Sequence, residues 1–340
     1  MFGRDLSGVA RQVTLYSSFT ALLWGAAVGS AQAPPAAPAE RQAPGERPAG
    51  AKRAEADPTD PQDVELRTAD GVLLAGTYYP ASEAGRDTPV VVALADENES
   101  PIVFDRLAFR FQMPGPSEER EPIAVFAVAL RGQGDSTRVR RPDGTVVDRR
   151  GAKLTPADAA AMVKTDMEAV RRFLVEKNDA GELNLNRLGY LGVGFGALVA
   201  ANAAAVDWAM PDLDRGKQGR DVKALALVSP PWKSLGLEML QAIRQPGVQT
   251  QVAVLLTYGR DDDQAQQAAS RIVVQLERGR MRLSDEETPT APVIDRPGKS
   301  KLQGTAWLKQ AGSAGEDLLL EFFANQLAKP ELPWVQRRLD

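Results

Sequence analysis

Residues 187–205, RLGYLGVGFGALVAANAAA, constrain this chain more than any other stretch. A short apolar run gives way to glycine at alternate positions, Gly192, Gly194 and Gly196, and then to an alanine-rich segment. The pattern reads as a buried strand, a sharp turn and a helix. Strand–turn–helix units build sheets whose parallel strands are connected by covering helices.

The flanking sequence repeats the theme. VELRTADGVLLAGTYYP (64–80) predicts an antiparallel hairpin turning at Ala69-Asp70-Gly71. PVVVALAD (89–96) and IAVFAVAL (123–130) are continuous apolar runs, the signature of strands buried on both faces. Residues 102–112 predict a helix, and 140–147 a turn between two extended pieces. The clearest helix is 154–177, with Thr155 as cap and Pro156 and Asp158 in its first turn. Further strands are expected at 187–192, 222–229, 251–258 and 304–310. Helices are expected at 195–205, 264–277 and 316–327, and an exposed loop over 280–303. The expected fold class is α/β, with a mostly parallel, doubly covered sheet and an N-terminal antiparallel hairpin. Only about twenty residues, 231–250, separate two core strands, which leaves no room for a large cap domain.

Two absences bound the chemistry. The 340 residues contain no cysteine and no histidine. Thiolate chemistry and disulfides are therefore excluded, and so are the usual general base near neutral pH and the commonest zinc ligand. A net charge of -4 gives no reason to expect nucleic acid as a partner. Arg4 and Arg11, an apolar run over 16–28 and small residues at 29–33 predict a signal peptide, residues 1–33. Export to a periplasmic or extracellular space follows; membrane contact is expected only if that segment stays uncleaved. Residues 34–62, rich in Pro and Ala, predict a disordered linker. The folded domain is expected over 63–330, and 331–340 as a C-terminal tail.

Several stretches, in order, resemble the α/β-hydrolase fold family, in its branch of exported serine hydrolases and serine aminopeptidase-like proteins. They are DGVLLAGTYYP, ALRGQGDS (129–136), GVGFGA (192–197), ALVSP (226–230) and LLTYGRDDD (255–263). The resemblance places the family's elbow, G-x-S-x-G, at Gly192 to Gly196, with Gly194 where the serine stands. It places the acid at Asp262, or at its neighbours Asp261 or Asp263, and the histidine near Ala314. Nucleophile and base are both missing on that reading. Triad members act as a unit, so no acyl-enzyme route remains. Glycine relieves the strain that a side chain bears at such a turn. The backbone N–H groups of Phe195 and Gly196 open a helix and are expected to form an oxyanion-like site for a small acyl or carboxylate ligand. A protein partner is the other expected role.

Other readings compete. Gly192-x-Gly194-x-x-Ala197 matches a dinucleotide fingerprint, with Asp212 or Asp214 as the ribose acid. A serine–lysine pair needs no histidine, and Ser136, Ser229, Ser234 and Ser313 are available, with Lys233 beside Ser234. Asp261 to Asp263 read as a solvated acidic loop rather than a cation site, and Arg138, Arg140, Arg141, Arg149 and Arg150 as a solvated hairpin. Trp208 and Trp232 read as core or pocket wall. No cofactor and no metal is expected.

Overall fold

The computed structural model describes residues 57–340, except 116–118, 212–215, 284–290, 300, 311 and 338–340. The expected signal peptide and most of the expected linker lie outside the described residues. Residues 57–60 form a turn held by the Asp60 N–H on the Asp57 carbonyl, 2.8 Å. Gln112 Nε2 donates to the Thr59 carbonyl. Residues 57–61, the end of the expected linker, thus contact the folded domain.

The strands are β1 (Gln62–Arg67), β2 (Val72–Tyr79), β3 (Val90–Leu94), β4 (Ala124–Val128), β5 (Arg138–Arg140) and β6 (Val146–Asp148). Then come β7 (Leu188–Val193), β8 (Val222–Val228), β9 (Lys233–Ser234), β10 (Leu237–Glu238), β11 (Ala253–Thr257) and β12 (Val293–Asp295). Ten of them form one sheet in the order β12-β11-β8-β7-β3-β4-β2-β5-β6, with β1 also on β2. From β12 to β4 neighbours run parallel. β2 runs antiparallel to β1, β4 and β5.

The helices are α1 (Asp105–Gln112), α2 (Pro156–Ala161), α3 (Met167–Asp179), α4 (Phe195–Ala209), α5 (Met239–Ile243), α6 (Pro246–Gln251), α7 (Asp263–Leu283), α8 (Gly304–Gln310) and α9 (Gly312–Phe323). Side-chain alternation along each strand feeds two cores. Val90, Val92 and Leu94 face α2 to α7, whereas Val91, Ala93 and Ala95 face α1, α8 and α9. Every residue of β3, β4, β7 and β11 is buried, which is why these runs show no polar alternation.

The predicted hairpin at 69–71 forms, with Gly71 at φ 89°. The predicted helix over 154–177 is α2 and α3 joined by a π-turn at Met162–Asp166. Thr155 Oγ1 accepts the Asp158 N–H at 3.2 Å while Asp158 Oδ2 accepts the Thr155 N–H at 3.0 Å, a closed capping box. The π-turn carries Asp166, fully buried, onto Arg131 at 2.6 Å; the other side of the guanidinium meets Asp70 at 2.7 Å. Burial alone would lower the Arg131 pKa, but the hydrogen bonds it donates to Asp166 and Asp70 raise it above its ordinary value. For Asp166 the balance is reversed: burial raises its pKa despite Arg131.

Two expectations fail near the C-terminal half of the sheet. Residues 304–310 form α8, not a strand. Trp307 and Leu308 are consecutive and both buried, which suits a helix lying across the sheet rather than an alternating strand. The edge position is filled by β12, inside the segment expected to be a loop. β12 has only three residues, and its half-buried Val293 and Ile294 sit between Pro292 and polar chain, too short a signal to stand out.

The predicted tail lies against the domain over residues 331–337. Asn184 Nδ2 donates to the Leu332 carbonyl at 2.8 Å, and Asn178 Nδ2 to the Val335 carbonyl at 3.0 Å. The Arg86 guanidinium stacks over the Trp334 ring, and Arg337 pairs with buried Asp221 at 2.8 Å.

Candidate ligand cleft at the carboxyl ends of the strands

Parallel register brings the strand ends together. Leu94 pairs with Gly192, and Val228 pairs with both Val193 and Thr257. The chain therefore leaves β3, β7, β8 and β11 at one level, where ligands bind in open α/β sheets.

Gly194 stands between β7 and α4 at φ 52° and ψ −122°. That conformation is open to glycine and strained for other residues. The two flanking glycines answer a different demand. A Cβ on Gly192 would strike the Ala197 backbone, and one on Gly196 the Leu94 carbonyl, so α4 can pack hard against β3 and β7.

The space a side chain on Gly194 would enter is filled. A Cβ built there would overlap the carboxylate of Asp96. Asp96 Oδ1 accepts the Phe195 N–H at 2.8 Å and the Glu97 N–H at 2.8 Å. These donors are the residue following the turn and a residue of the connection after β3. In acyl-transferring members of this fold, those two positions supply the oxyanion hole. Here both N–H groups are bound to the Asp96 carboxylate. Gln133 fixes Asp96 from below: its Nε2 donates to the Asp96 carbonyl at 2.9 Å, and its Oε1 accepts the Leu130 N–H at 3.0 Å.

The remaining predicted site residues separate. Asp262 is buried and lines the cleft, where its Oδ1 accepts the Ala265 N–H at 3.0 Å and closes the start of α7. Asp261 faces Lys301 at 3.7 Å. Asp263 is the first residue of α7. Ala314 is an exposed residue of α9 and does not line the cleft. Ser136 is buried away from the cleft, donating to the Ala129 carbonyl and accepting the Ala75 N–H. Ser229 is a lining residue at φ 47° whose Oγ accepts the Gly304 N–H at 2.9 Å. Lys233 and Ser234 lie side by side in β9, and among the described residues no lysine hydrogen-bonds a serine hydroxyl. The ribose candidates Asp212 and Asp214 lie outside the described residues.

The cleft is open, with a volume of about 570 Å³. Glu97, Glu99, Pro230, Gln303 and Thr305 complete its wall. Residues 231–250 form only the β9–β10 hairpin, α5 and α6, so no large cap covers it. Among the described residues no group of three or more His, Cys, Asp or Glu side chains is placed to hold a metal ion.

Asp96 is the residue that sequence reasoning missed. Its signal was the acidic run Asp96-Glu97-Asn98-Glu99 directly after the buried run 89–95.

No sequence family and no curated protein matches the chain. Solved structures do. An esterase of Pyrococcus furiosus, Pf2001, superposes with a TM-score of 0.51 at 17% identity, over 79% of this chain and 93% of that one. A thermostable carboxyl esterase of Bacillus coagulans gives 0.53 at 10% identity, over 78% and 99%. The α/β-hydrolase GrgF of a Penicillium species gives 0.53 at 15%, over 79% and 99%. The chain has the α/β-hydrolase fold.

Proposed function

We propose that this protein is an exported, non-catalytic member of the α/β-hydrolase fold, whose cleft binds a ligand or partner instead of cleaving it. One observation carries the reading: the Asp96 carboxylate lies where a nucleophile on residue 194 would begin, and it takes both oxyanion-type N–H groups. A substrate carbonyl would have to displace a bound anion to reach those donors. The chain has no imidazole to deprotonate a hydroxyl. Hydrolysis on this fold needs nucleophile, base and oxyanion donors together, and each is missing or occupied. Fold likeness to esterases does not transfer their activity, because function resides in the site.

The test is a fluorophosphonate probe with a panel of esters and aminoacyl amides on the purified full chain. Neither labelling nor turnover above buffer is expected. Covalent labelling of any serine, or turnover abolished by a single side-chain change, overturns the reading.

A further inference from the structure

The C-terminal segment meets the domain as a peptide meets a binding site. Residues 331–337 belong to no helix or strand. Their carbonyls are held by side chains: Asn184 Nδ2 donates to Leu332 at 2.8 Å, Asn186 Nδ2 to Pro333, and Asn178 Nδ2 to Val335 at 3.0 Å. All three asparagines are buried. Bonds to main-chain carbonyls hold an extended peptide whatever its side chains, and pockets for particular side chains then set the choice.

Two such pockets are present. The Arg86 guanidinium lies 4.4 Å from the centroid of the Trp334 ring, and Trp334 Nε1 donates to the Asn178 carbonyl at 3.1 Å. The Arg337 side chain is only 3% exposed, pairs with Asp221 at 2.8 Å and donates to Asn186 Oδ1 at 2.8 Å. Asp221 is itself fully buried and is also paired with Lys217 at 2.9 Å. A carboxylate at that depth selects a side chain both cationic and long. Asn184 and Asn186 directly precede β7 and Asp221 directly precedes β8, so this floor lies at the amino ends of the strands, opposite the cleft.

We infer that this floor is a peptide-recognition site. The ligand it fits is an extended peptide with a tryptophan three residues before an arginine, and residues 331–337 are that ligand, held in cis. The role of the cleft does not enter. A tethered ligand acts at an effective concentration on the order of millimolar. A free copy therefore enters only when the tethered one is weakened.

Isothermal titration with the synthetic peptide of residues 331–340 tests this on two full chains, the wild type and W334A/R337A. Saturable binding to the variant is expected, and binding at least about tenfold weaker to the wild type. The same peptide carrying R337A should bind the variant about thirtyfold more weakly, the loss of one partner of a buried charge pair. A thermal melt reports whether the variant is folded. Silence of the peptide on a folded variant, equal binding of the two peptides, or equal binding to both chains overturns the site. So does a W334A/R337A chain without a cooperative melt, because the segment is then part of the core and not a ligand of it.

Discussion

The Asp96 carboxylate and the α-carbon of Gly194 share a single pocket of space: a methyl group on residue 194 cannot be added without evicting Asp96. This ties two positions, 96 and 194, that follow adjacent parallel strands and lie two residues past the Leu94–Gly192 pair. The coupling makes a definite energetic statement.

Gly194→Ser should destabilise the protein by more than the roughly 1–3 kcal/mol expected from backbone strain alone, because it adds the collision. Asp96→Ala should suppress part of that loss. A double-mutant cycle by urea denaturation should show a favourable coupling of about 0.5–3 kcal/mol. Strict additivity would mean that the two residues do not compete for space. Neither variant nor the double variant should hydrolyse esters.

Asp96→Ala by itself strands the Phe195 and Glu97 N–H groups. The expected cost is about 1–3 kcal/mol. With both N–H groups left without their acceptor, formate should raise the melting temperature of this variant in a saturable manner. The wild type should respond no more to formate than to chloride. Identical responses in both proteins would remove the anion-hole interpretation.

Arg131 sits between buried Asp166 and half-exposed Asp70. Arg131→Met leaves Asp166 without its counter-charge, at an expected cost of about 3–5 kcal/mol. Adding Asp166→Leu should recover much of it, since removing both members of a buried pair is far milder than removing one. Equilibrium denaturation of the single and double variants checks the order.

Asp207 gives a pH signature. Burial, reinforced by the Asp221 carboxylate, pushes it up to about 6 against the N–H groups of Val222 and Asp221 that it accepts. In the unfolded chain an aspartate titrates near about 3.9. Between those values the folded state holds a proton that the unfolded state has lost. This group's contribution therefore falls as pH rises through the window, by up to about 3 kcal/mol. Asp207→Asn cannot ionise, so its stability relative to wild type should improve from pH 4 to pH 7. A difference that stays flat over that range would contradict the assignment.

Much of the sheet was legible because its strands are buried on both faces. The runs 90–94, 124–128 and 188–193 carry uninterrupted apolar chain, and their order along the sequence matches a doubly covered sheet. The α2–α3 helix was legible through Thr155, Pro156 and Asp158. The sheet edge was not. β12 is held by main-chain bonds to β11, such as the Val254 N–H on the Pro292 carbonyl at 2.9 Å, and main-chain bonds leave little trace in side-chain pattern. α8 was misread because a seven-residue apolar-polar mixture fits either period. At the site, the turn around Gly194 was legible from its glycines. Asp96 was not, because its role depends on the pairing of β3 with β7, a relationship between segments about a hundred residues apart.

The occupied turn also bears on reversibility. On the proposed reading, a catalytic triad at this corner would require a hydroxyl at 194, loss of the carboxylate at 96 and an imidazole that the sequence lacks. Each change made first is unrewarded: the hydroxyl collides, the missing carboxylate orphans two amides, and a lone imidazole has nothing to activate. On that reading the corner at Gly194 behaves as a ratchet, with no single step leading to acyl chemistry.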